Sequence, residues 1–382
     1  MKTIKRIVIS FILVLGLASN ISLWSQDQSL SYQVILETKG EYNNLDRKSK
    51  INPDNWMNIG DFAALSQLYP ILQFNSRSGD LATRLGVEAN LRSYNFEKDS
   101  TRLLIQELYS QFTFKDKHYF VFGKKRLDWG SGMIWNPTNF FIQKDPLRTQ
   151  NRLEGIFMLN YSYLFSESAI SIYLFPDKKK ENFKAAIKYD YSKDRIDAAV
   201  SFVEYGKYQQ VGLDLSYGGN LFTFYGEGVL RNFSKSYKID NNGILQIPDN
   251  RKKTFSSEFV VGGSVVFNMH LSFRGEYRFR EDYLDKSQIR LFENQLPDNL
   301  MIWDAISVSK HTLFASFDYR DTYSRWSANL RTFYDPLSNQ LIVSPLGVLT
   351  MNNFQIEAST IFYNNKLSIH NFQSTILLSC FF

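Results

Sequence analysis

The chain has 382 residues, 44 basic and 38 acidic side chains, a formal charge of +6 and one cysteine, Cys380. A single cysteine excludes an internal disulfide framework, and so even a charge balance excludes the clustered basic footprint of a nucleic-acid binder. Aromatic residues make up 16% of the chain, with 32 Phe and 22 Tyr, a high share that any fold assignment has to explain.

The first element is an export signal over residues 1–26. Lys2, Lys5 and Arg6 form its positive start and Ile7 to Ala18 its apolar stretch. That run suits a secretory signal and is short for a spanning helix of about 20 residues; a single anchoring helix is the alternative. Cleavage is expected near Ser25 or Gln26. Removing three positives from 44 leaves 41 basic against 38 acidic side chains, a mature charge of +3.

From Leu30 onward the pattern has period two. Eighteen strands are predicted, with sixteen as the alternative count. They lie near 30–39, 67–75, 80–94, 102–114, 118–128, 154–165, 169–175, 183–191, 195–204, 209–217, 221–231, 254–267, 271–280, 310–320, 325–334, 340–350, 354–363 and 372–382. In "LSFRGEYRFR", Leu271, Phe273, Tyr277 and Phe279 alternate with Arg274, Glu276, Arg278 and Arg280. Alternation suits a soluble sandwich and a membrane barrel equally; the connections separate them. Every second one is short ("SRSG", "KDK", "SES", "SKD", "GGN", "NMH", "DTYS", "NN"), whereas 40–66, 129–153, 232–253 and 281–309 are long. Short turns at one end and long loops at the other, with an even strand number, describe a transmembrane barrel.

The expected fold is therefore all-β: a transmembrane antiparallel up-and-down β-barrel over residues 27–382, in the outer membrane of a Gram-negative bacterium. Its surroundings would be outer-membrane lipid and lipopolysaccharide. The last strand, "NFQSTILLSCFF", places Phe372, Ile376, Leu378, Cys380 and Phe382 on one face. A final amphipathic strand ending in Phe382 resembles the signal read by the barrel-assembly machinery. Cys380 then faces lipid and needs no chemical role.

The stretch "FGKKRLDWGSGMIWNPTNFF", residues 122–141, joins a strand to a long aromatic loop. Placing Leu127 and Trp129 on the lipid side sends Lys124, Arg126 and Asp128 into the lumen by parity. The loop continues with Lys144, Arg148 and Arg152, which share a face if it contains a helical turn. Its aromatic residues prefer burial, so residues 129–153 are expected to fold inward and narrow the pore, their cations joining Lys124 and Arg126. Charges at a constriction set ion preference. Alternatively, these residues neutralise one another as lumenal ion pairs.

The order Gly123-Lys124, Trp129-Gly130, Asn136-Pro137-Thr138 and Asp145-Pro146 resembles the signature strand and loop of barrels related to alginate-export and capsule-assembly proteins. It covers about 35 residues. The resemblance implies a barrel handling a polysaccharide or a small anionic solute, and it does not imply an enzyme.

Parity also sends Glu107, Tyr109 and Gln111 inward, and makes Arg274, Glu276, Arg278 and Arg280 the densest charged row, with Asp318, Arg320 and Arg331 facing the same interior. The bland reading is a solvated wall of mutually paired charges. Each of three outer loops carries one "PDN" tripeptide, which is turn chemistry. No Cys-rich cluster, HExxH or P-loop is present, and the four dispersed histidines argue for neither a metal site nor a hydrolase. No cofactor and no enzyme activity are expected. Two functions remain: a channel for a hydrophilic, anionic or saccharide solute, and a surface polysaccharide-binding or capsule-assembly barrel without an open pore.

Overall fold

The computed structural model describes residues 27–46, 60–78, 80–95, 100–141, 154–176, 184–233, 238–239, 245–246, 255–286, 309–321, 325–364 and 370–382. The expected export signal over residues 1–26, the three "PDN" tripeptides and the cations Lys144, Arg148 and Arg152 lie outside them.

Alternating sequence becomes alternating exposure. The strands are β1 (Asp27–Leu45), β2 (Phe62–Ser78), β3 (Leu81–Asn95), β4 (Ser100–Phe114), β5 (His118–Lys125), β6 (Ile156–Leu164), β7 (Ser168–Leu174), β8 (Lys184–Lys193), β9 (Ile196–Tyr205), β10 (Tyr208–Gly218) and β11 (Phe222–Arg231). A small outer-loop hairpin, β12 (Lys238–Ile239) and β13 (Leu245–Gln246), follows. Then come β14 (Ser256–Val266), β15 (Leu271–Arg280), β16 (His311–Arg320), β17 (Trp326–Asp335), β18 (Gln340–Met351), β19 (Phe354–Asn364) and β20 (His370–Phe381). Apart from the hairpin, these form one antiparallel sheet of eighteen strands, each beside its sequence neighbour.

The sheet closes on itself. β1 pairs with β20 from Ile35↔Phe381 onward, and Val34 and Phe382 exchange backbone hydrogen bonds of 3.0 and 2.9 Å. Closure leaves no strand edge unpaired, the condition for crossing a bilayer with strands. Both ends of the barrel chain lie with the eight short turns, which carry positive-φ residues such as Lys115, Asp116, Asp194 and Asn352.

Burial runs opposite to a soluble protein. Leu213, Phe224, Val261 and Ile376 are each more than half exposed on the outer face, whereas the least exposed large side chains include Arg231, Arg280, Gln106 and Gln210. A belt of bare Leu, Val and Phe belongs in hydrocarbon, and enclosed polar groups belong around a wet lumen. The same parity places Ile376, Leu378 and Cys380 outward on β20, although neighbours cover most of Cys380.

One strand departs from expectation. β5 ends at Lys125 rather than near 128. Gly123 has φ +119°, and a Cβ there would collide with the Leu108 carbonyl and stand 2.9 Å from Tyr109 Cα. Just beyond this glycine the chain leaves the wall.

Candidate functional site

The outward residues of β5 are Phe120 and Phe122, both well exposed; Val121 and Gly123 are buried. Lys124 follows Phe122 outward, opposite Leu108 of β4 and Phe157 of β6, and forms an ion pair with Glu154. The expected lumenal position of Lys124 is therefore corrected. Its neighbour Lys125 points inward, donating to Gln111 Oε1 at 2.8 Å and lying 4.7 Å from the Tyr109 ring centre.

Leu127 and Trp129 are corrected for the same reason. They do not touch lipid but join an interior cluster with Tyr109, Val121, Met158, Tyr173 and Val203. Taking them as girdle residues reverses the strand's parity. Arg126 does reach the lumen, because the chain has left the β-ladder: its backbone N–H donates to Glu107 Oε1 at 2.8 Å and its guanidinium meets Glu88 Oε1 at 2.6 Å. Asp128 is exposed, between the buried Leu127 and Trp129.

From Trp129 the loop crosses the barrel. Its farthest described contact is Trp135, with ring centres 6.3 Å from Phe314 of β16 and 6.1 Å from Phe333 of β17. β16 stands nine places from β5 among eighteen strands, on the opposite wall. The chain then returns: Phe141 lies 4.1 Å from Phe175 and Phe140 5.5 Å from Tyr205, measured between ring centres. Burial of these rings drives the inward folding.

Between its aromatic ends the loop is held by two wall carboxylates. Glu227 of β11 accepts from the backbone N–H of Gly132, from Thr138 N–H at 3.3 Å and from Thr138 Oγ1 at 2.8 Å. Glu276 of β15 accepts from the N–H groups of Met133 at 2.7 Å, Ile134 at 3.0 Å and Trp135 at 3.2 Å, and from the Tyr225 hydroxyl. Successive amides converging on one anion make a nest, and charged acceptors strengthen each bond. Close approach requires glycine: Gly130 has φ +89°, and a Cβ there would stand 2.6 Å from Glu227 Oε2. Pro137 offers its carbonyl to Arg231 Nη2 at 3.2 Å, and Asn136 Nδ2 closes the turn on the Gly132 carbonyl at 2.6 Å.

Cations line the wall where the loop docks. Arg231 pairs with Glu258 at 2.8 Å, and Arg278 meets the same carboxylate at 2.8 Å. The Arg278 guanidinium lies 5.5 Å from the Trp135 ring centre, and that of Arg280 stacks 3.1 Å from Tyr283. Further along β15, Arg274 is 3.3 Å from Asp318. Arg331 of β17 is paired through Ser316 with Arg274, three strands side by side. The expected row on β15 is thus lumenal, and most of its members have acidic or aromatic partners. The wall of β20, β1 and β2 is polar too: Gln373 Nε2 bridges Glu41 Oε1 at 2.6 Å and Asn43 Oδ1 at 3.0 Å.

Glu227, Glu258 and Arg231 were not singled out by sequence reasoning, and Lys125 and Trp135 were visible in it without a direction or a partner. The local signal is weak: Glu227 is an inward acid flanked by outward glycines, Gly226 and Gly228, and Glu258 and Arg231 carry no such mark. Among the described residues no group of three or more His, Cys, Asp or Glu could hold a metal ion.

No protein-family model and no curated protein matches the chain. Solved structures do match. The Pseudomonas aeruginosa channel OccK1 (OpdK) superposes with a TM-score of 0.61 at 7% identity, over 94% of this chain and 99% of that one. P. aeruginosa OccK11 (OpdR) gives 0.58 at 12% identity, over 92% and 95%. A Rhodopseudomonas blastica porin variant gives 0.51 at 9% identity, over 93% and 100%. The fold is a porin barrel. A porin fold accounts for the closed antiparallel sheet, while the alginate-export and capsule-assembly resemblance gains no support.

Proposed function

We propose that this chain is an outer-membrane channel of the porin type, passing small hydrophilic solutes and preferring anions. The observation that carries the reading is the arginine wall beside the loop. Arg231, Arg274, Arg278, Arg280 and Arg331 all lie on β11, β15 and β17; Glu258 is shared by Arg231 and Arg278 and Asp318 stands beside Arg274, while Glu227 and Glu276 are occupied by loop amides. Cations in a lumen walled by low-dielectric material attract anions more strongly than the same charges in bulk water. One similar structure is of P. aeruginosa OpdK with vanillate; vanillate is an aromatic carboxylate, and a solute of that class suits arginines flanked by aromatic rings.

The test is the reversal potential of purified protein in planar bilayers under a KCl gradient. Chloride preference that falls in Arg274→Gln and Arg331→Gln is expected. Cation preference in the wild type would refute the anion reading. A second reading, a closed polysaccharide-binding barrel, draws on the two aromatic clusters filled by the loop; absence of current would favour it.

A further inference from the structure

The two carboxylates that hold the loop have a second consequence. Glu227 and Glu276 stand on the lumenal wall, on β11 and β15, within the arginine-lined half of the barrel. Glu227 is 3% and Glu276 3% exposed. Every contact named for them within the loop is an N–H or O–H donor: Gly132, Thr138, Met133, Ile134 and Trp135. The loop therefore covers two negative charges with positive dipole ends, while leaving Arg274 and Arg331 uncovered at the same wall. Without the loop, the β11–β15 wall would present Glu227 and Glu276 directly to the water path.

We propose that residues 130–138 act as a charge mask: docking of the loop hides Glu227 and Glu276, and undocking adds them to the lumen and shifts ion preference toward cations. The inference rests on the channel reading above. It makes the loop a determinant of the sign of selectivity as well as of pore width. A loop acting by size alone would raise conductance on removal without moving preference toward cations. Gly130 supplies a minimal switch, since a methyl group there meets the Glu227 carboxylate.

Reversal potentials under a KCl gradient test this in four proteins: wild type, Gly130→Ala, a chain with residues 130–138 replaced by a short glycine linker, and that chain carrying Glu227→Gln and Glu276→Gln. Heat-resistant migration on gels establishes that each is folded. Gly130→Ala and the loop-shortened chain should both shift toward potassium, and the paired Gln substitutions should return the shortened chain toward chloride. A shortened chain that keeps its chloride preference overturns the mask, as does one whose preference ignores the Gln pair. If the shortened chain does not fold, an unshifted Gly130→Ala overturns it instead. A wild type without current would refute the channel reading alone; the effect of the Gln pair in the conducting shortened chain would still decide the mask.

Discussion

At the scale of single residues, the adjacent lysines of β5 show how one bond decides a role. Lys124 points outward to Glu154 and Lys125 inward to Gln111. Lys125→Gln should weaken chloride preference in bilayers and Lys124→Gln should leave it unchanged; equal effects would contradict this orientation. Both lysines were visible in the sequence, but their direction was not, because Leu127 and Trp129 look like lipid anchors until the interior cluster that buries them is known. Arg231 carries a different lesson. It is 2% exposed and paired with Glu258, so Glu258→Ala leaves a cation enclosed without its partner. A loss of about 3–5 kcal/mol is expected, read as a lower urea midpoint for the heat-resistant folded band.

At the scale of elements, strands and loop differ in how local their causes are. A strand needs only alternation and a turn, and both are written within about ten residues. The loop's path depends on partners as far away as Glu276, 141 positions from Trp135. The sequence showed an aromatic segment that should fold inward. It did not show the anchors, because a single inward Glu on a strand looks the same whether it faces water or a nest of amides. Trp135 is the far anchor. Trp135→Ala removes its packing against Phe314 and Phe333, a loss on the order of 3–5 kcal/mol for a buried aromatic side chain. Larger and noisier single-channel currents are expected; wild-type traces would show that the two carboxylates hold the loop unaided.

At the scale of the whole molecule, the inverted distribution of side chains is the property on which stability turns. In water an exposed leucine tolerates a charge; in hydrocarbon it does not. Leu213, 58% exposed at the middle of β10, should therefore be intolerant. Leu213→Arg is expected to cost about 2–4 kcal/mol in a bilayer, whereas Ser216→Arg on the lumenal face of the same strand should cost far less. Folding titrations into lipid vesicles measure both, and equal costs would contradict the assignment of faces.

The sequence by itself determined the eighteen strands, the short-turn end, the alternation of faces and the inward aromatic loop, because each depends on residues close along the chain. Only the tertiary structure decided where β5 stops, which lysine faces the lumen, and which acids hold the loop. Those outcomes depend on contacts between opposite walls, and closing a barrel brings together residues whose separation in sequence carries no local mark.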